Sequence, residues 1–269
     1  MDLPFRTTSL TIATTPARLA DNRFQAEIPD GWQQGRGAFG GLVLGTLLRA
    51  IEACEPDRAR ATRTLTGDLC GPVLPGRVAV DVRTLRRGNN QSNLAATLTQ
   101  GDAILASATV VLSPPRKAEG ARFAPAPPPP LAPWRDVPVI PLDAAGGPVF
   151  TQNYEYRGLG GAFVRGDGVI DGWIRERTPL AQLDAPALIG RLDAWWPTLF
   201  ALDGRPRPVA TISFAAEILV DPATLAPEEP FRYRAHMAAM HDGFFVELRE
   251  LWQGDKVVAL NQQTFAILK

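Results

Sequence analysis

Eleven of the chain's 25 prolines fall in one stretch, from Pro114 to Pro148, and that stretch decides how the rest can be organised. Proline lacks a backbone N–H and has a fixed φ. Such a run enters neither a helix interior nor a central strand, and it favours an extended polyproline conformation. It reads as a long crossover between two domains. Trp134, Val139 and Ile140 predict that its later part packs on a surface. The full length of 269 residues allows two domains, each large enough to bury a core.

The same plan is written on both sides of the crossover. Before it come two short strand-like runs, Ser9 to Thr14 and Arg23 to Ile28, then an apolar helix from Phe39 to Cys54. Strand-like runs follow near Ala61 to Cys70, Arg77 to Leu85, Gln91 to Gln100 and Ala103 to Leu112. After it come Asn153 to Arg157 and Val164 to Glu176, a helix near Ala185 to Ala201, and four more runs. Those lie near Val209 to Val220, Phe231 to Met240, Phe244 to Gln253 and Lys256 to Leu268. A heptapeptide echo supports duplication: Gln100 to Ala106 matches Gln253 to Ala259, with Gly-Asp turning a hairpin in each.

Composition narrows the function. Lys plus Arg equals Asp plus Glu at 28 each, so no global field steers the chain onto nucleic acid or an anionic membrane. No apolar run approaches the roughly 20 residues that span a bilayer. The start, Met1 to Arg6, carries no secretory apolar region, so the chain reads as cytoplasmic. Cys54 and Cys70 read as reduced thiols rather than a disulfide framework.

The helices hold the informative residues. Leu44, Leu47, Leu48 and Ile51 make one stripe, widened by Leu42 and Val43, which predicts a buried helix. Gly40, Gly41 and Gly45 cost it stability and imply a close approach to another backbone or a ligand. The second helix starts at Asp184, a good N-cap, with Pro186 in its first turn. Asp193 falls by spacing on the stripe of Ile189, Trp196 and Phe200, and desolvation there raises a carboxylate's pKa. Alternatively the helix is rotated, and Asp193 reaches water and pairs with Arg191 or Arg207.

These residues resemble the acyl-CoA thioesterase II-like, or tandem hot-dog thioesterase, family over nearly the whole chain. Phe39-Gly40-Gly41 resembles its helix entry, and Gly71 to Gly76 its proline-glycine turn. Val82 to Asn89 is similar to its threonine-leucine-arginine hairpin. Leu192 to Pro197, Ala210 to Ser213 and Asn261 to Thr264 resemble the segments where that family carries an Asp, a Thr and a Gln that hold a water against the thioester. The strand after Thr211 departs from the pattern, reading Ser213 to Glu217 where many relatives have an Asp and a His or aromatic residue. The resemblance implies an α+β chain of two fused hot-dog domains, each a long central helix wrapped by a curved antiparallel sheet. Their bounds would be 1–113 and 150–269, with 114–149 as the crossover.

Carried over, the catalytic residues are Asp193, Thr211 and Gln263, with Phe39, Gly40, Gly41 and Trp196 binding substrate. Gln263 is preferred to Gln262 because it shares a face with Ala259, Phe265 and Ile267. The implied reaction is hydrolysis of an acyl-CoA in lipid metabolism by a homo-oligomer. No cofactor, metal, nucleic acid or membrane is called for. Asp193 would act as general base or as direct nucleophile, with N–H groups near Gly40 and Gly41 receiving the oxyanion. The first-half helix has no carboxylate at the matching place, so its site reads as lost. Non-catalytic binding of acyl-CoA or an acyl chain is the alternative. A hydratase would need His236 or His241 in the cleft. A Gly-x-Ser-x-Gly elbow is absent, and the Gly158 to Gly161 and Gly166 to Gly168 runs read as loops and bulges.

Overall fold

A computed structural model describes residues 8–116, 123, 125–142, 146–158 and 166–268. Met1 to Arg6, Leu159 to Gly161 and Val164, which entered the sequence reading, lie outside the described residues. In the first half, helix α1 (Leu10–Thr14) precedes β1 (Ala17–Ala20), β2 (Arg23–Ile28), β3 (Gln33–Gln34) and β4 (Gly37–Ala38). Helix α2 (Gly40–Ala53) follows, then β5 (Ala61–Leu69), β6 (Gly76–Arg87), β7 (Ser92–Gln100) and β8 (Ala103–Ser113). The second half has β9 (Tyr154–Arg157), β10 (Val169–Glu176), α3 (Ala185–Asp193) and α4 (Thr198–Asp203). It closes with β11 (Val209–Ile218), β12 (Phe231–His241), β13 (Phe244–Gln253) and β14 (Lys256–Ile267).

Twelve of the strands form one antiparallel sheet, β1-β2-β6-β7-β8-β5-β11-β14-β13-β12-β10-β9; β3 and β4 pair separately. The order reads as one half followed by its reverse, joined where β5 meets β11. The halves repeat in backbone detail. Gly101 and Gly254 both have positive φ at the first position of their two-residue turns, as a II′ hairpin demands. Bulges fall at matching places in β7–β8 and β13–β14, in β6–β7 and β12–β13, and in β5–β8 and β11–β14. The last of these pairs Thr62 with Thr211 as counterparts.

Alternating apolar residues on the inner face of the sheet bury against α2 and α3 in one core that runs through both halves. Helices α2 and α3 pack closely because Gly41 faces the backbone of α3 at Gly190. A Cβ at Gly41 would lie 3.0 Å from Gly190 Cα and 2.7 Å from the Phe39 ring. The cost that Gly41 imposes on the helix therefore buys backbone contact.

Two expectations need correction. The run Ser9 to Thr14 is helix, not strand. Ser9 caps it, and Leu10, Ala13 and Thr14 present a buried face at helical spacing. Thr14 returns its hydroxyl proton to Leu10 O at 2.7 Å, and packing on α2 overrides the β-propensity of Thr and Ile. The helix near Ala185 to Ala201 is broken after Asp193 into α3 and α4. Pro197 has no N–H to give to the preceding turn and disfavours helix at Trp196. At the other end Asp184 does cap α3, accepting from Ala187 N at 2.9 Å with Pro186 in the first turn.

The crossover is pinned to the β9 edge. Val139 bridges to Arg157, and Ile140 N donates to Tyr156 O at 2.9 Å. The Trp134 ring lies beneath the guanidinium groups of Arg157 and Arg175. A sheet edge that would otherwise be open to pairing is thereby covered.

Gly41→Ala tests the helix contact. A rigid ring and a backbone atom oppose the new methyl, so overpacking outweighs the gain in helix propensity. Denaturant midpoints should report a net loss of about 1–3 kcal/mol.

Candidate active site

Asp193 is the last residue of α3 and is 7% exposed. Its Oδ2 accepts from Gly41 N, in the first turn of α2, at 2.7 Å. Its Oδ1 accepts from Gln263 Nε2 on β14 at 2.9 Å. The same nitrogen donates to Thr211 Oγ1 on β11 at 2.7 Å. The three residues picked out as catalytic thus meet in one hydrogen-bonded group. Asp193 does not pair with Arg191 or Arg207, whose partners are Glu176 and Asp203.

The β11 bulge makes this meeting possible. Thr211 pairs with Phe265 and Ser213 with Thr264, so Ile212 is the extra residue. The inserted residue shifts the alternation, so that Thr211 and Phe214 share the inner face with Phe265 and Gln263. Gln263 is 1% exposed whereas Gln262 faces out. Thr211 is only partly buried, so the group is reached from solvent on the Thr211 side. The Gln263 amide gives both its bonds from nitrogen, and its Oε1 is buried without a partner.

Burial raises the Asp193 pKa from 3.8 to about 6, the largest influence on it. The positive Arg249, the Gln263 bond and the Gly41 bond pull it down, and Glu247 pushes it up. The carboxyl sits at the unfavourable C-terminal end of its own helix but at the favourable N-terminal end of α2. It is therefore a carboxylate at neutral pH that still has real affinity for a proton.

Two residues of this site were missed from sequence. Arg249 on β13 is buried, with Nη1 3.9 Å from Asp193 Oδ1 and donating to Leu192 O at 2.9 Å. Its Nε and Nη2 both donate to Glu247 Oε2, at 3.0 and 2.8 Å. Glu247 Oε1 accepts from the Thr198 hydroxyl at 2.7 Å and from Thr198 N, so it caps α4. The signal was parity: Glu247 and Arg249 alternate on β13 with buried Phe245 and Leu251.

The residues assigned to substrate differ in setting. Phe39 is enclosed, its ring stacked on Phe150 at 4.1 Å, which is core packing. Gly40 lies against the carboxylate: a Cβ there would be 2.7 Å from Asp193 Oδ2. Gly41 N–H is committed to Asp193. Trp196 is partly exposed beside Trp195 and Tyr156, on the non-helical step between α3 and α4. Neither histidine reaches the site. His236 pairs with exposed Leu248 on the outer face, and His241 is exposed beside Asp242. Among the described residues no cluster of His, Cys, Asp and Glu could hold a metal, and no helix is long and apolar enough to cross a membrane.

The large antiparallel sheet with few helices has known counterparts. A protein of unknown function with a hot-dog fold from Alicyclobacillus acidocaldarius matches at TM-score 0.88 and 23% identity, over 98% of this chain and 99% of that one. The tesB protein of Mycobacterium avium subs paratuberculosis matches at TM-score 0.76 and 15% identity, over 97% and 98%. An acyl-CoA thioesterase II from Mycobacterium marinum matches at TM-score 0.72 and 15% identity, again over 97% and 98%. These likenesses define the fold as hot-dog.

The sequence itself goes further. The acyl-CoA thioesterase N-terminal domain matches residues 28–113, and the C-terminal domain of the same family matches residues 125–267. The chain belongs to the acyl-CoA thioesterase family and is a thioester hydrolase. A comparison with the curated proteins finds no match.

The raised pKa carries a stability consequence of definite sign. A carboxyl whose folded value is raised stabilises the fold when protonated. That contribution is whole below about pH 4 and is lost as pH rises to about 6. Above it the fold carries a buried charge. Asp193→Asn should therefore raise stability at pH 8 by up to about 3 kcal/mol, less the cost of the acceptor lost to an NH2 group. The gain should be absent at pH 4, and urea unfolding at the two pH values measures the difference.

Proposed function

We propose that this enzyme hydrolyses fatty acyl-CoA thioesters with a water activated by Asp193 and held by Thr211, both positioned by Gln263. The observation that carries the reading is the buried Asp193 carboxylate, bonded to Gln263 and through it to Thr211. Thr211 Oγ1 accepts from Gln263, so its own proton is free to hold a water oxygen. That water gives a proton to Asp193 as its oxygen attacks the thioester carbonyl carbon. The oxyanion is received by Gly40 N–H, which has no other partner among the described residues. Collapse of the tetrahedral species breaks the C–S bond, and the thiolate leaves with the proton that Asp193 returns. The acyl chain would lie beside Trp196 and against the small apolar cluster of Leu199, Phe245 and Phe265, with Phe200, Val209 and Met237 partly open around it.

We infer also that the chain is two fused hot-dog units, at 1–113 and 150–269, with 114–149 crossing between them. The repeated turns and bulges support this, as does the reversed strand order.

Thiol release from medium and long acyl-CoAs tests the reading. Asp193→Ala should cost about 10²–10⁴ in kcat, the usual worth of a general base. Thr211→Ala and Gln263→Ala should fall between it and wild type. In the wild type kcat/KM should decline as pH drops through about 6, because the base must be unprotonated. Near-normal turnover by Asp193→Ala would exclude the proposed base.

A further inference from the structure

Glu247 and Arg249 are the buried charges nearest Asp193, and the mechanism above leaves them without a task. We propose that they act as a positioning unit, which fixes where the Asp193 carboxyl stands and keeps it in the charged form that takes a proton from water. The inference rests on Asp193 being the base.

Orientation comes first. Asp193 ends α3, and the chain then breaks at Pro197, so the carbonyls of the carboxyl-bearing turn lack their usual helical donors. Arg249 supplies the missing restraint by donating to the carbonyl of Leu192, the residue just before Asp193. Glu247 anchors the other side of the break through Thr198 N and Oγ1. The two bonds from Arg249 to Glu247 Oε2 join these restraints into one rigid brace. One strand, β13, therefore grips both sides of the non-helical step between α3 and α4.

Charge comes second. Arg249 faces Asp193 Oδ1 at 3.9 Å and keeps its own charge, because the carboxylates of Glu247 and Asp193 and its bonds to Glu247 oppose the effect of its burial. The other groups around Asp193 are Tyr154 and Tyr156 on β9, Tyr233 on β12, and the Glu176–Arg191 pair between β10 and α3. Burial raises all three tyrosines, which leaves them neutral across the working range. Arg249 is the strongest influence favouring charged Asp193, and the Glu247 carboxylate opposes it.

The two side chains therefore predict opposite shifts, which a purely structural role would not produce. Removing the cation makes Asp193 harder to ionise; removing the neighbouring anion makes it easier. In Arg249→Met the acidic limb of kcat/KM should move up by about one pH unit or more. In Glu247→Gln it should move down. Arg249→Lys should bring the limb back towards wild type while kcat stays low. A lysine restores charge but cannot reach Glu247 twice and Leu192 at once.

The measurement is a full pH profile of thiol release for the three variants and Asp193→Ala, with far-UV unfolding curves for each. Opposite limb shifts support the brace. Limbs that stay at the wild-type position while Asp193→Ala is inactive overturn this inference alone. Turnover that survives Asp193→Ala overturns the base assignment beneath it. Should Arg249→Met not fold, Glu247→Gln and Arg249→Lys decide the matter, and an unmoved limb in Glu247→Gln rejects the proposal.

Discussion

A single hydrogen bond, from Gly41 N–H to Asp193 Oδ2, ties the start of one buried helix to the end of the other. The helix termini leave orphan N–H groups at the head of α2 and a carboxyl at the tail of α3, and each satisfies the other. The bond sets demands on the residues around it. Position 40 must be glycine, since a Cβ would press on Oδ2, position 41 must be small enough for the backbones to meet, and a Cβ at 190 would press on Leu10 and the Tyr154 hydroxyl. The glycines that weaken α2 as an isolated helix are the ones that let it meet α3 and receive the carboxyl.

The same geometry explains why the repeated strand order carries one such group rather than two. The reciprocal end of the helix pair brings the Asp184 N-cap of α3 against Arg49, near the end of α2. Arg49 also donates to Thr14 at 2.6 Å. A partly exposed ion pair thus stands where the other end has a buried carboxyl held by a side-chain amide. A carboxyl does occur one turn further on: Glu52 accepts from Thr62, the counterpart of Thr211, at 2.6 Å, and burial raises it to about 7. It has no amide partner, since Val110 occupies the position matching Gln263 in the Gly-Asp hairpin register. The scaffold is repeated, but the donors that would hold a water are not.

Most of the strand order was legible because alternation and Gly-Asp turns are local signals. Strand β13 and the span of α2 were read almost to the residue. Ser9 to Thr14 was misread because the β-branched Thr11, Ile12 and Thr14 outweighed a cap and a buried stripe that only tertiary packing makes decisive. The second helix was read as continuous because its apolar spacing survives across Pro197, whereas the backbone does not. In the site, Asp193 was legible as a polar residue on an apolar face, and face parity chose Gln263 from the two glutamines that the family resemblance offered. Thr211 required the family resemblance, since the bulge that turns it inward leaves no mark in the alternation. Arg249 and Glu247 escaped notice because strand pattern treats charged residues as outward-facing, and only long-range pairing reverses that.

The burial of that pair gives the proposed chemistry its direction. Before reaction, two carboxylates, Asp193 and Glu247, face one guanidinium in a site with little water to screen them. A proton arriving on Asp193 leaves one carboxylate opposite one cation, a balanced arrangement that low dielectric favours. A site with a second cation would hold Asp193 as a poor base. A site with none would leave it protonated and inert. In that proposal Arg249, with the Gln263 and Gly41 bonds, keeps the carboxyl charged at neutral pH yet ready to accept, which is the compromise general-base catalysis requires.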